Sequence, residues 1–142
     1  MRRFISVLVV LLLPLAAYAR WRVIPLDEAV KDSDLIVVGT IHDVSEVTNG
    51  AVDWGSAVIT VDEVLRGDLQ EGQKLSLQWQ NESGVICPRI NHGDHEGKQF
   101  IWLLKRKPFG KVAADNPGRF IDSSRREDVV KLIRANGTPS GE

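Results

Sequence analysis

Apolar residues along this chain fall into short alternating runs separated by turn-forming residues, the pattern of β-strands joined by tight connections. Residues 35–41 (LIVVGTI) are β-branched and apolar on both faces, which predicts a central strand covered on both sides. The run continues, more polar, through Val44 and Val47 to a hairpin turn at Thr48-Asn49-Gly50. Residues 57–65 predict the next strand, with Ala57, Ile59, Val61 and Leu65 on one face and Val58, Thr60, Asp62 and Val64 on the other. Turns at Arg66-Gly67-Asp68 and Glu71-Gly72 follow. Leu75, Leu77 and Trp79 then alternate with Ser76, Gln78 and Gln80, a strand with one face in the core and one in water. After a polar segment over 81–97, residues 100–104 (FIWLL) form a second strand apolar on both faces. Two short strands are expected over 111–114 and 119–121, around Asn116-Pro117-Gly118.

Helical spacing occurs twice. Leu26, Ala29 and Val30 follow Pro25, with Asp27 and Glu28 in the first turn, and predict a short helix that Asp32-Ser33-Asp34 ends. Near the other end, Val129, Leu132 and Ile133 form an apolar stripe. A capping box at Ser124-Arg125-Arg126-Glu127 would open that helix, and Asn136-Gly137 would close it. The expected fold is therefore mainly β: a small antiparallel OB-like barrel with a short N-terminal and a C-terminal helix, an open α+β sandwich being the competing architecture.

The start of the chain changes where this domain is expected to work. Met1-Arg2-Arg3, an apolar run over 4–15 and Ala17-Tyr18-Ala19 have the order of an export signal, predicted to span residues 1–19. A single domain over 20–137 and a disordered tail over 138–142 would follow, periplasmic or secreted. The apolar run is shorter than the roughly 20 residues that cross a bilayer, so no stable membrane insertion is expected after cleavage. Loss of Arg2 and Arg3 leaves 16 basic against 19 acidic residues. That mildly acidic balance argues against nucleic acid as a partner. The basic run Lys105-Arg106-Lys107, with Lys111 nearby, reads as a solvated strand end. Cys87 is the one cysteine, so no internal disulfide can form.

Three segments resemble a group of small exported bacterial proteins: residues 32–41 (DSDLIVVGTI) their "ADLIVVGTV" strand, 58–67 their "VxVDEVLRG" strand, and 96–104 (EGKQFIWLL) their "EGKxFIWLL" strand. That group is similar to the OB-like barrel of tissue inhibitors of metalloproteinases and netrin-like modules. The resemblance runs from about Ala29 to Leu104 and implies the barrel. The inhibitors chelate their target's zinc through an N-terminal cysteine and are held by disulfides. This chain has Arg20-Trp21 at the expected mature end and neither feature, so the resemblance implies the fold without that inhibition.

Candidate chemistry concentrates in residues 87–97, which hold Cys87, His92 and His95. Thiolate and imidazole are ligands of zinc and copper, and a turn at Gly93-Asp94 would bring the two rings together, with Asp94 or Glu96 as a fourth ligand. The simpler reading of the same residues, and the favoured one, is a polar loop with Cys87 tucked into the core. His42 beside Asp43 has the makings of an oriented base with no nucleophile in view, and more simply is a polar strand end. Of the four tryptophans, Trp79 and Trp102 read as packing residues, whereas Trp54 and Trp21 are candidate binding anchors. Asn81-Glu82-Ser83 and Asn136-Gly137-Thr138 match the glycosylation sequon. Three readings follow: a non-enzymatic module binding an extracytoplasmic protein or glycan, which needs no cofactor; a periplasmic zinc or copper protein; and a small thiol enzyme or hydrolase. The first accounts for the compact fold and the missing catalytic groups.

Overall fold

The computed structural model describes residues 22–84 and 89–137. The expected export signal, Trp21, Cys87 and the tail over 138–142 lie outside the described residues. The elements run α1 (Leu26–Asp32), β1 (Leu35–Asn49), β2 (Val52–Arg66), β3 (Lys74–Glu82), β4 (Gln99–Arg106), β5 (Lys111–Ala113), β6 (Phe120–Asp122) and α2 (Arg126–Gly137). The fold is mainly β with a short N-terminal and a C-terminal helix, as the periodicity predicts. Hydrogen-bonded neighbours follow the order β1-β2-β3-β5-β4, and β4 pairs back onto β1, so five strands form a ring. β6 adds to β4 outside that ring. Every pairing is antiparallel except β3 with β5, which is parallel and corrects the all-antiparallel expectation. A chain passing from β3 through β4 before β5 re-enters beside β3 pointing the same way.

Two apolar layers explain the two double-sided strands. Leu35, Val37 and Ile41 of β1, with Trp102 and Leu104 of β4, face the ring's interior, beside Ile59, Leu77 and Trp79. Their neighbours Ile36, Val38, Ile101 and Leu103 face outward under Ala29 and Val30 of α1 and Val129 of α2. Each of these large side chains contributes roughly 1.5–3 kcal/mol on burial. The Trp102 indole Nε1 also donates to the Gly39 carbonyl at 3.0 Å, so its one polar atom is satisfied inside.

Bulges reset which face points inward. The register of β1 against β2 slips between Val38 and Gly39 and again between Ile36 and Val37, each time with an extra residue on β2. Val64 therefore packs into the interior and Leu65 under the helices, the reverse of their expected faces. A third bulge, on β1 between His42 and Ser45, places Asp43 at φ 54°. At the β1–β2 turn Asn49 pairs with Val52, and Gly50 supplies the positive φ of 64°.

The helices are tied down by side chains the periodicity does not reveal. Arg119 is buried; it pairs with Asp32 and donates to Ser33 Oγ at 3.2 Å and the Leu103 carbonyl at 3.3 Å. Arg66 reaches the Val30 and Ser33 carbonyls at the end of α1. Ahead of α2, Asp122 rather than Ser124 caps the chain, its carboxylate accepting from the Ser124 amide at 2.8 Å. The expected capping box is thus replaced by an aspartate two residues earlier. Glu127 instead pairs with Arg126, which also holds Glu63 on β2. No helix among the described residues is long and apolar enough to cross a membrane.

Candidate functional site

Three regions hold the residues that chemistry could use. On the open outer face of the sheet, register aligns Val47, Trp54 and Gln80 across β1, β2 and β3, and Ser45, Ser56 and Gln78 in the next row. This part of the sheet extends beyond the helices, so its outward side chains meet water: Trp54 is 53% exposed and Val47 61%. Together with Gly55, Trp79 and Lys107 they line a shallow groove of about 260 Å³. Gly55 is required there, since a Cβ would stand 2.0 Å from the Trp79 ring. The glycine lets the Trp79 indole lie flush behind the groove, with its Nε1 buried and without a hydrogen-bond partner among the described residues. Among the described residues no carboxylate lines the groove, whose polar groups there are amides, hydroxyls and one lysine. Small-molecule sites commonly enclose about 300–1,000 Å³. This groove is therefore suited to a protruding part of a larger partner, an aromatic-stacked ring or a side chain, rather than to an engulfed cofactor.

The second region is the segment between β3 and β4. A 3₁₀ turn spans His92–His95, opened by Asn91, whose side chain accepts from the Gly93 amide at 3.2 Å. Both imidazoles turn toward the same aromatic ring: His92 lies 5.0 Å and His95 5.4 Å from the Phe120 centroid. His92 is 0% exposed, edge-on to Trp79 at 4.7 Å and tilted against Trp102 at 5.6 Å. Among the described residues neither of its nitrogens has a hydrogen-bond partner, nor does Nδ1 of His95. Burial, assisted by the nearby His95, lowers the His92 pKa from 6.5 to about 4; the Ala114 backbone opposes this slightly without reaching normal hydrogen-bond geometry. The ring is neutral at pH 7. Asp94 binds the Asn91 side chain at 2.9 Å and Glu96 accepts from the Val44 amide at 3.4 Å, so both carboxylates are engaged locally. Among the described residues, no three His, Asp, Glu or Cys side chains are grouped to hold a metal ion.

Within the same segment, the Asn81 side chain exchanges two hydrogen bonds with the Ile90 backbone, at 2.8 and 2.9 Å. Its amide is buried and occupied, so Asn81 is not an acceptor for glycan in the folded protein. Arg89 clamps the neighbouring ends of β1 and β2 by pairing with Glu46 and Asp53. The Thr48 hydroxyl, first, and the Arg89 guanidinium hold the Asp53 carboxyl below the ordinary range.

The third region is His42. Its Nδ1 lies 3.0 Å from Asp43 and its Nε2 2.6 Å from the Thr60 hydroxyl on the adjacent strand. Thr60 is thus the hydroxyl neighbour the sequence did not reveal, because a cross-strand partner is set by register. The order hydroxyl, imidazole, carboxylate resembles a nucleophile relay, but acyl transfer also requires amide donors converging on the reacting oxygen. Here the carboxylate is 76% exposed on a sheet surface, and the neighbouring Thr40 and Gln99 both donate to Asp62 instead. The arrangement works as a polar strap across β1 and β2. Compared with models of known protein families and with curated proteins, the chain matches none.

Proposed function

We propose that this protein is an exported, non-enzymatic binding module of OB-like barrel fold that holds an extracytoplasmic protein or glycan at the groove around Trp54. The observation that carries this reading is an indole left 53% exposed on an otherwise well-packed sheet, beside Val47 and rimmed by amides and hydroxyls. Tryptophan in a polar rim is an enriched anchor of interfaces, where its apolar ring and N–H both find partners. The five-strand ring, closed by β1 against β4, supports the OB-like barrel, a five-stranded closed sheet. The resemblance to the inhibitor and netrin-like barrels rests on the three strand motifs alone.

Capture from an extracytoplasmic extract, with and without enzymatic deglycosylation, tests the reading. The wild type retains a partner that Trp54→Ala loses, and sensitivity to deglycosylation identifies that partner as glycan. Equal capture by both proteins overturns the assignment to Trp54.

A second reading has its own support: three buried imidazole nitrogens of His92 and His95 without partners among the described residues. Imidazole nitrogens left open in this way suit zinc or copper, with Cys87, outside the described residues, as the expected thiolate. Metal analysis of tag-free protein beside a Cys87→Ser, His92→Ala double variant decides it. Equal metal content in the two removes this reading.

A further inference from the structure

The tip of the β4–β5 hairpin carries an arrangement that folding alone does not explain. Lys107 and Lys111 close the hairpin, the Lys107 amide donating to the Lys111 carbonyl at 2.8 Å, and Pro108–Gly110 form the tip. Phe109 and Gly110 have consecutive positive φ, 62° and 70°, as a type I′ turn requires. That position favours Asn, Asp or Gly, and a bulky residue there is an outlier that strains the backbone. Among the described residues only Asp43 and Phe109 take a positive φ without being glycine. Phe109 gains no packing in return, since its side chain is 98% exposed. An apolar ring held outward at a conformational cost is a feature that serves something beyond the fold.

Its surroundings indicate what. Lys105, Arg106, Lys107 and Lys111 flank Phe109 along the hairpin. Lys105 is offset by Asp32 at 3.4 Å and Asp34 at 3.8 Å, and Lys107 by Asp115 at 3.7 Å. Arg106 and Lys111 form no ion pair among the described residues, and Lys111 Nζ donates only to the Ser76 hydroxyl at 3.2 Å. The hairpin therefore ends in one exposed aromatic ring backed by cations, on a chain whose overall charge is −1. We propose that this tip docks the protein reversibly on an anionic lipid bilayer, Phe109 entering the headgroup–acyl boundary and Arg106 and Lys111 meeting lipid phosphates. One ring with a few cations supports shallow, salt-sensitive association rather than spanning. This inference rests on Phe109 and its cations rather than on Trp54, although Lys107 borders both the tip and the groove.

Sedimentation of purified protein with vesicles of phosphatidylcholine, alone or mixed with phosphatidylglycerol, tests it. Wild type binds the anionic vesicles, releases in high salt and ignores the zwitterionic ones. Phe109→Asn, which suits the turn and keeps the fold, binds about tenfold more weakly, the scale of one buried aromatic ring. Phe109→Trp, read as a difference from wild type, is quenched by brominated lipids, which localises insertion to the tip whatever the rest of the chain does. Equal binding by Phe109→Asn, or no quenching at position 109, overturns the proposal. So does a wild type that ignores vesicles while retaining an exported protein that Phe109→Asn loses, an outcome that assigns the tip to a protein contact.

Discussion

A single buried ring sets the acid stability expected of this protein. His92 is fully enclosed by Trp79, Trp102 and Phe120 and titrates near 4 when folded, against 6.5 when free. Above pH 6.5 it is neutral in both states and stability is at its full value. As pH falls from 6.5 to 4 the unfolded chain takes up a proton that the folded chain refuses, so stability declines, by about 3 kcal/mol over the window. Below 4 the histidine adds no further loss. The depressed carboxyls of Asp32, Glu63 and Asp122, held by Arg119, Arg126 and Ser124 respectively, lose their contribution mainly below that window. Urea unfolding in the presence of a chelator should therefore show a steep decline for wild type between pH 6.5 and 4 and a markedly flatter one for His92→Leu. Parallel declines would mean that the ring is hydrated in solution. At Phe109 the opposite sign is expected: Phe109→Asn relieves a left-handed bulky residue and should raise stability by about 1 kcal/mol, visible as a higher Tm.

Individual elements are short, and long side chains hold them in place. α1 has 7 residues and no side-chain cap at its start, too few to persist alone. Arg119 fixes its end to β4 by joining Asp32, Ser33 and Leu103. Arg119→Ala should cost about 2 kcal/mol, because hydrogen bonds made by a buried guanidinium are lost while Asp32 can still turn to water. An unchanged denaturation midpoint would show that the helix is held by apolar contacts alone. The elements themselves were legible: Leu35–Ile41, Phe100–Leu104 and the alternation of Leu75, Leu77 and Trp79 each identify a strand and its faces. Side-chain bonds between distant residues, such as Asn81 with Ile90 and His42 with Thr60, were not legible, since they depend on register. The faces of Val64 and Leu65 were misread for a related reason. A bulge is one extra residue, and alternation carries no mark of it until the partner strand is known. At the candidate sites, the chain marked the turn at Gly93-Asp94 between His92 and His95 but not the aromatic box, whose members come from β3, β4 and β6.

For the molecule as a whole, the organising feature is that one strand serves two environments on a single face. Along β1 the outward side is covered by helices at Ile36 and Val38 and open to water at Ser45 and Val47. The division places stability at one end of the sheet and a free surface at the other. It also explains how a chain with one cysteine holds together: two apolar layers share β1 and β4, so each strand is buried from both sides. A pair of substitutions separates the two regions. Val129→Asp places a charge in the 0% exposed layer between α2 and the sheet and should cost at least about 3 kcal/mol, enough to unfold a marginal domain. Val47→Asp, at a position 61% exposed, should stay within about 0.5 kcal/mol. If the groove is the binding face, the second protein folds normally but loses affinity, because a carboxylate then enters a rim whose described residues carry none. Equal destabilisation by the two substitutions would mean that the outer face near Trp54 is covered in solution, as by a second copy, and the groove would cease to be a free surface.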